Sequence, residues 1–440
     1  MSVATRAGVL PLGAAVDHQG HLIIGGCDTV ELARRFGTPL YVYDELTVRT
    51  RCRGYRDALA AAYPSSLVLY ASKAFSSPML LQIVHQEGLG LDVVSGGELF
   101  AAHRASFPMA QVYFHGNNKG ADELAMALEY GIGRFVIDSF HELELLGRLA
   151  QERDVRAPSL LRLSPGIDAH THEYRKTGIL DSKFGFPIST GQAEEAVRQA
   201  LATPSLELLG FHAHVGSQIF QLAPYEETIK VVLDFAADMR DRHGVQLREF
   251  SPGGGWGIAY TPEDDPQPTE LVGTTVGETV HAELARRGLG EPRVFIEPGR
   301  SIVGQAGVAL YTVGGIKRIP GVRVYASVDG GMADNIRPAL YGARYEAIVA
   351  NRADAAAEET VTIAGKYCES GDVLIKDVEL PTLRPGDLLA LPASGAYNLV
   401  MASNYNMAPK PAVVLVGDGE ARVIRRRQTY EELLLGEELL

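Results

Sequence analysis

The sequence predicts a (β/α)8 TIM barrel of the α/β class with a second, mostly antiparallel β domain, and three observations carry that prediction. Between Leu67 and Ile296 eight short apolar runs alternate with segments of helical periodicity. Most of these runs are predominantly apolar, as parallel strands buried on both faces and joined by helical crossovers are. After about Ser301 long helical segments stop, and β-type runs punctuated by Gly and Pro take over. A doubly wound sheet is the alternative for the same alternation, because periodicity alone does not demonstrate closure.

Taken in order, residues 1–39 open with a hairpin in which His21-Leu22-Ile23-Ile24 follows the turn signal Asp17-His18-Gln19-Gly20. A short helix over Val30–Phe36 is stopped by Gly37 and Pro39. From Leu40 the texture changes, which sets the expected barrel at 40–300. Its strands are expected at Leu67–Ala71, Leu91–Val94, Val112–His115, Phe135–Ile137, Leu160–Leu163, Leu208–His214, Glu249–Ser251 and Val294–Ile296. Helices are expected at Pro78–Glu87, Glu98–Arg104, Ala121–Tyr130, Phe140–Glu152, Gly191–Leu201, Tyr225–Arg242 and Thr275–Arg287. In the sixth, Ile229, Val232, Leu233, Ala236 and Met239 share one face. Two irregular polar connections, Ser164–Phe186 and Pro262–Gly273, are long enough to suggest a functional role or a plain insertion. The second domain, 301–440, is expected to hold strands at Val308–Val313, Val322–Val328, Thr360–Ala364, Leu388–Pro392 and Ala412–Val416, then a helix at Tyr430–Glu438.

Composition narrows the function. The chain has 440 residues and a formal net charge of -13, and its longest basic run is Arg425–Arg427. That balance argues against a nucleic-acid partner. Three cysteines, Cys27, Cys52 and Cys368, do not make a disulfide framework and suit a reducing compartment. With no signal segment and no apolar run of spanning length, the expected location is the cytoplasm, with no membrane partner.

A barrel of this kind builds its site from the carboxyl ends of its strands. Strand one ends at Lys73, either a surface lysine or an amine able to hold an aldehyde as a Schiff base. Strand six ends in His212-Ala213-His214-Val215-Gly216-Ser217, strand seven in Gly253-Gly254-Gly255, and strand eight in Glu297-Pro298-Gly299-Arg300-Ser301. The glycine run is either a tight turn or bare backbone offered to a phosphate. His214 is either a structural histidine or a flat ring for stacking on an aromatic. Glu297 either pairs with Arg300 or keeps a ring nitrogen protonated. Gathered on one rim, the four describe a pocket for a phosphorylated aromatic aldehyde, pyridoxal 5′-phosphate. In the second domain Arg337 could fork onto a carboxylate, Tyr341 and Tyr397 could donate hydroxyl hydrogen bonds, and Cys368 with Glu369 reads as a loop tip.

The motifs YASKAF (around Lys73), DVVSGGEL (Asp92–Leu99), FHGNNK (Phe114–Lys119), HVGSQ (His214–Gln218), GGG (Gly253–Gly255), EPGRS (Glu297–Ser301), VDGGMADNIRPALYGA (Val328–Ala343), CESGD (Cys368–Asp372) and GAY (Gly395–Tyr397) stand in one order along the chain. In these the chain resembles the fold-type III pyridoxal-phosphate decarboxylases, whose barrel is like that of alanine racemase. Ser164 departs from the family's usual Asn. The resemblance implies that residues 1–39 join the β domain, and that the protein is a homodimer with active sites shared between subunits. It implies Lys73 as the cofactor-bearing amine, His214 stacked on the pyridine ring and Glu297 on the ring nitrogen. Ser217, Gly254, Gly255, Gly299, Arg300 and Tyr397 are the further implied cofactor contacts. Arg300, Arg337, Tyr341, Glu369 and Tyr397 are implied for substrate, with Cys368 and Glu369 arriving from the partner chain. No metal is implied.

A carboxylate at the ring nitrogen keeps the electron sink strong, which favours decarboxylation over the racemisation of relatives that place an arginine there. Cys368 is then the first candidate to reprotonate Cα, and Lys73 the second. Arg300 and Arg337 with Glu369 suit a substrate whose far end carries both charges, as meso-diaminopimelate does, giving L-lysine. The alternatives are a related basic or diamino acid, and a non-catalytic regulatory relative.

Overall fold

The computed structural model describes residues 8–167, 182–438 and 440, and the chain divides into two compact units. One comprises the chain up to Thr50 with Ile258–Asp265 and Arg300–Leu440; the other comprises Arg51–Gly257 and Pro266–Gly299.

In the second of these, eight strands form a closed parallel ring: Ser66–Ala71, Gly90–Val93, Val112–Phe114, Arg134–Ile137, Ala157–Ser164, Leu206–Ala213, Glu249–Gly253 and Arg293–Ile296. Val294, Phe295 and Ile296 pair with Ser66, Leu67 and Val68, which closes the ring. All eight expected strands are present, and closure removes the doubly wound alternative. The interior is plugged by Leu69, Tyr113, Val136, Leu160, Leu209 and Phe295, each from a different strand. Because side chains two apart share a face of a strand, Tyr113, Leu160 and Phe295 set the layer beneath His115, Arg162 and Glu297. Site residues therefore stand on an apolar floor.

The other unit is organised on Leu40–Asp44, which runs antiparallel to Gly307–Ile319 and parallel to Ala412–Gly417. Its alternation assigns two jobs. Leu40 and Val42 enter the hydrophobic core with Leu22, Ile24, Val308 and Val414. On the opposite face the Tyr41 hydroxyl donates to the Asp334 carbonyl at 3.0 Å, and the Tyr43 hydroxyl donates to the Gly395 carbonyl at 2.6 Å. A buried phenol needs a partner for its O–H, so these two tyrosines pin the loops that carry Arg337 and Tyr397. The sheet also contains Arg323–Val328, Glu359–Ala364, Val373–Leu380, Leu388–Leu391 and Glu420–Arg425, with mostly antiparallel pairings.

Several expectations need correction. The barrel unit begins at Arg51 rather than at residue 40, because Leu40–Asp44 belongs to the β unit's sheet, and Arg300 also groups with the β unit. Leu40–Asp44 and the helix Glu45–Ala62 are absent from the sequence reading, as are Val373–Leu380 and Glu420–Arg425. The last of these is a polar edge strand at the end of its sheet. The helix expected from Thr275 begins at Thr269, and the one expected over Tyr430–Glu438 is a single turn, Tyr430–Leu433, closed by a Thr429–Glu432 capping box. Of the Ser164–Phe186 connection, residues 168–181 lie outside the described residues.

Candidate active site

Lys73 sits in the one-turn segment Ser72–Ala74 directly after the first barrel strand. That turn is held from both sides: the Ser72 hydroxyl donates to Glu98 at 2.9 Å, and the Tyr70 hydroxyl donates to the Phe75 carbonyl at 2.8 Å. The Lys73 ammonium lies 3.9 Å from the Asp92 carboxylate at the end of strand two. Asp92 is 1 % exposed, and neither of its side-chain oxygens has a hydrogen-bond partner among the described residues. Burial pushes its pKa up to about 7, with the Lys73 charge working in the opposite direction.

Across the barrel, Glu297 is buried with one donor on each oxygen: Ser251 Oγ at 2.8 Å and His212 Nε2 at 3.0 Å. Burial alone would raise its pKa; His212 and His115 beside it, with these hydrogen bonds, overcome that and hold it below the ordinary carboxylate range. His214 is pushed well below the usual histidine range by burial, then by Lys73 and Arg162, so its ring is neutral. Its Nδ1 accepts from the Gly254 N–H at 3.3 Å, which leaves the proton on Nε2. Lys73, His115, Arg162, His212, His214 and Glu297 line one cavity of about 370 Å³. Ser217 lines an adjoining cavity of about 340 Å³ that shares Arg162, Phe184 and His214.

The glycine run has a steric cause as well as any binding role. A Cβ on Gly254 would collide with the Glu297 carbonyl oxygen, and one on Gly255 with the Gly216 carbonyl. Gly253 and Gly255 also have φ of +85° and +108°, which favours glycine. Only bare backbone lets the ends of strands six, seven and eight come this close. Gly299 is restricted in the same way, since its Cβ would fall 2.9 Å from that of Ala71.

The remaining residues singled out in the sequence lie in the β unit. Arg337, 7 % exposed, opens the short helix Arg337–Tyr341, donates to the Tyr345 hydroxyl at 2.5 Å, and lies 4.6 Å from the Tyr260 ring centre. Arg300 donates to the Tyr260 hydroxyl at 2.5 Å and lies 4.7 Å from the Tyr397 ring centre. Tyr341 is exposed. Cys368 and Glu369 occupy the exposed turn between Glu359–Ala364 and Val373–Leu380, where the Cys368 N–H donates to Asn406 at 3.1 Å. The stretch between strand seven and the expected Pro262–Gly273 connection supplies Tyr260, which the sequence reading did not single out. That reading named His212 at the end of strand six without giving it a role, and gave none to Asp92, His115 or Arg162, which also stand at or near strand ends and so fall under the rule that found Lys73.

A family model for the pyridoxal-binding domain of pyridoxal-dependent decarboxylases matches residues 46–304. The chain belongs to the pyridoxal-dependent decarboxylase family. Within that family it is 49% identical over 419 residues to the diaminopimelate decarboxylase of Bacillus subtilis (strain 168), covering 95% of each chain. The diaminopimelate decarboxylase of Bacillus methanolicus is 48% identical over 413 residues, 94% of this chain and 96% of the relative. Among solved structures, diaminopimelate decarboxylase from M. jannaschii in complex with L-lysine superimposes with a TM-score of 0.90 at 33% identity, covering 97% of this chain and 98% of that one. The fold match accounts for the closed ring.

Proposed function

We propose that this chain is a pyridoxal 5′-phosphate-dependent decarboxylase that converts meso-2,6-diaminopimelate to L-lysine and CO2, the last step of lysine biosynthesis. Relatives named for that activity match it over nearly their whole length. The observation that carries the substrate choice is Arg337. It is buried, yet among the described residues no carboxylate lies within salt-bridge reach of it. A buried guanidinium offered only tyrosine hydroxyls and ring faces is suited to receive a carboxylate from a ligand.

The barrel cavity fits the cofactor. A primary amine stands beside a buried carboxylate with vacant acceptors, and a neutral imidazole lies near an ionised glutamate. Lys73 would hold the aldehyde, His214 would cover the ring face, Glu297 would pair with the ring nitrogen, and the backbone at Ser217, Gly255 and Gly299 would receive the phosphate, with the Gly254 N–H committed to His214. When bound, the cofactor supplies an electron sink for the pair left at Cα as CO2 departs. Glu297, kept anionic, would favour a proton on the ring nitrogen and so keep that sink strong. Arg300, Arg337 and Tyr341 orient the far carboxylate, and Glu369 the far ammonium. Cys368, exposed at its loop tip, delivers the proton to Cα.

The test is CO2 and L-lysine release from meso-diaminopimelate beside ornithine, arginine and lysine. Turnover of meso-diaminopimelate well above the other three is expected; preference for ornithine or lysine overturns the reading. The same reading makes the protein a cytoplasmic homodimer in which Cys368 and Glu369 serve the partner's site. Mixing inactive Lys73→Ala chains with Cys368→Ala chains should then restore activity, whereas no recovery after demonstrated subunit exchange contradicts shared sites.

A further inference from the structure

Glu297 is held by a set of groups that the proposed reaction leaves without a role. His212 stands at the end of strand six, two residues before His214, and is 1 % exposed. A histidine buried for structure alone would be expected to satisfy both ring nitrogens. His212 does not: Nε2 meets Glu297 at 3.0 Å, while Nδ1 has no hydrogen-bond partner among the described residues. An aliphatic residue would avoid stranding that nitrogen, so the imidazole is retained for its one bond. His115 reinforces the arrangement. Its Nε2 is 3.7 Å from the other Glu297 oxygen and 3.9 Å from Asp92, and its ring meets that of His212 edge-on at 4.8 Å.

We propose that His212 is a positioning residue for the reaction. Together with Ser251 it fixes the Glu297 carboxylate by one donor on each oxygen, with His115 as the third wall, and so keeps Glu297 anionic and aimed. The proposal rests on the reading that Glu297 pairs with the cofactor's ring nitrogen. The charged and titratable groups that border this cluster are Lys73 from strand one, Asp92 from strand two, His115 from strand three, Arg162 from strand five and His214 from strand six. The hydrogen bonds on the two Glu297 oxygens come from His212 and Ser251.

The experiment loads the enzyme with pyridoxal phosphate carrying 15N in its ring and reads the nitrogen's chemical shift, which separates protonated from free pyridine. The parent should show a protonated shift that stays constant across neutral pH. Glu297→Gln should move it toward the free-base position; if it does not, the reading on which this proposal rests fails. His212→Leu should move it in the same direction, lower kcat by about 10- to 100-fold as loss of an orienting partner does at other sites, and leave KM within about twofold. His212→Gln, whose amide can still donate, should restore most of both. A shift that moves in Glu297→Gln but not in His212→Leu overturns the positioning role alone. Should His212→Leu not take up cofactor, Ser251→Ala decides: it removes the other donor, and an unmoved shift there overturns the proposal.

Discussion

Lys119→Met tests how the barrel rim is braced. The Lys119 ammonium is buried with all three donors used: the Gly116 carbonyl at 2.9 Å, the Val136 carbonyl at 2.8 Å and Glu142 at 2.7 Å. Glu142 in turn accepts from the Asp138 N–H at 3.0 Å. Lys119 thereby ties the loop after strand three, which brings Gly116 and Asn117 to the cavity, to strand four. Methionine fills much of the volume but strands a buried carboxylate and two carbonyls. Breaking one side of such a pair costs roughly 3–5 kcal/mol. Burial already pushes Glu142 toward its neutral form, with Lys119 as the principal opposing influence. Adding Glu142→Gln should therefore return about 1–2 kcal/mol, by removing the charge while keeping an acceptor for Asp138. Trp256, the single tryptophan and buried in the barrel unit, gives a local fluorescence probe for urea unfolding. A loss below about 1 kcal/mol for Lys119→Met, or a double variant less stable than the single one, refutes this account of the brace.

Two further outcomes follow from the site. With its pKa raised by burial to about 7 in the folded protein, above the roughly 3.9 of an unfolded aspartate, Asp92 binds its proton more tightly folded than unfolded. Stability should fall as pH rises between those values, by roughly 4 kcal/mol. Asp92→Asn, in cofactor-free protein, should then be more stable than the parent at pH 8 and not at pH 4 in thermal unfolding; parallel pH profiles contradict this. Arg337→Met should reduce kcat/KM for meso-diaminopimelate by roughly 30-fold or more, as loss of one partner of a buried charge pair does, while leaving any residual turnover of ornithine unchanged. An equal loss on both substrates assigns Arg337 a structural role instead.

The barrel was legible because its strands are buried on both faces and read as apolar runs. Its glycine-rich helices were harder. Thr269–Arg287 lost its first turns in the reading because Gly273 interrupts its pattern, yet Gly273 and Gly277 lie where a Cβ would come within 2.9 Å and 2.6 Å of Ala58 and Ala62 Cβ. The partner helix Glu45–Ala62 is equally disguised: Val48, Cys52, Tyr55 and Leu59 form its buried stripe, but four arginines and Gly54 interleave them. Leu40–Asp44 was hidden by its place, next to a helix and far in sequence from its sheet partners Gly307–Ile319 and Ala412–Gly417. At the site, Lys73, His214 and Glu297 were readable from strand ends and motifs, and the structure brings all three to one cavity. What the sequence did not reveal were the groups that act through others. His212 and Ser251 matter only because each finds one oxygen of Glu297, a pairing across 85 and 46 residues. Tyr260 likewise came from a stretch with no periodicity, and only packing against Arg337 and Arg300 distinguishes it.

Underlying all of this is the claim that Lys73, at the carboxyl end of the first strand, carries the cofactor. Borohydride reduction of the loaded enzyme followed by peptide mapping tests it directly. The account predicts a single pyridoxyl adduct on Lys73, lost together with turnover in Lys73→Ala; an adduct on any other lysine, or turnover that survives the substitution, contradicts it.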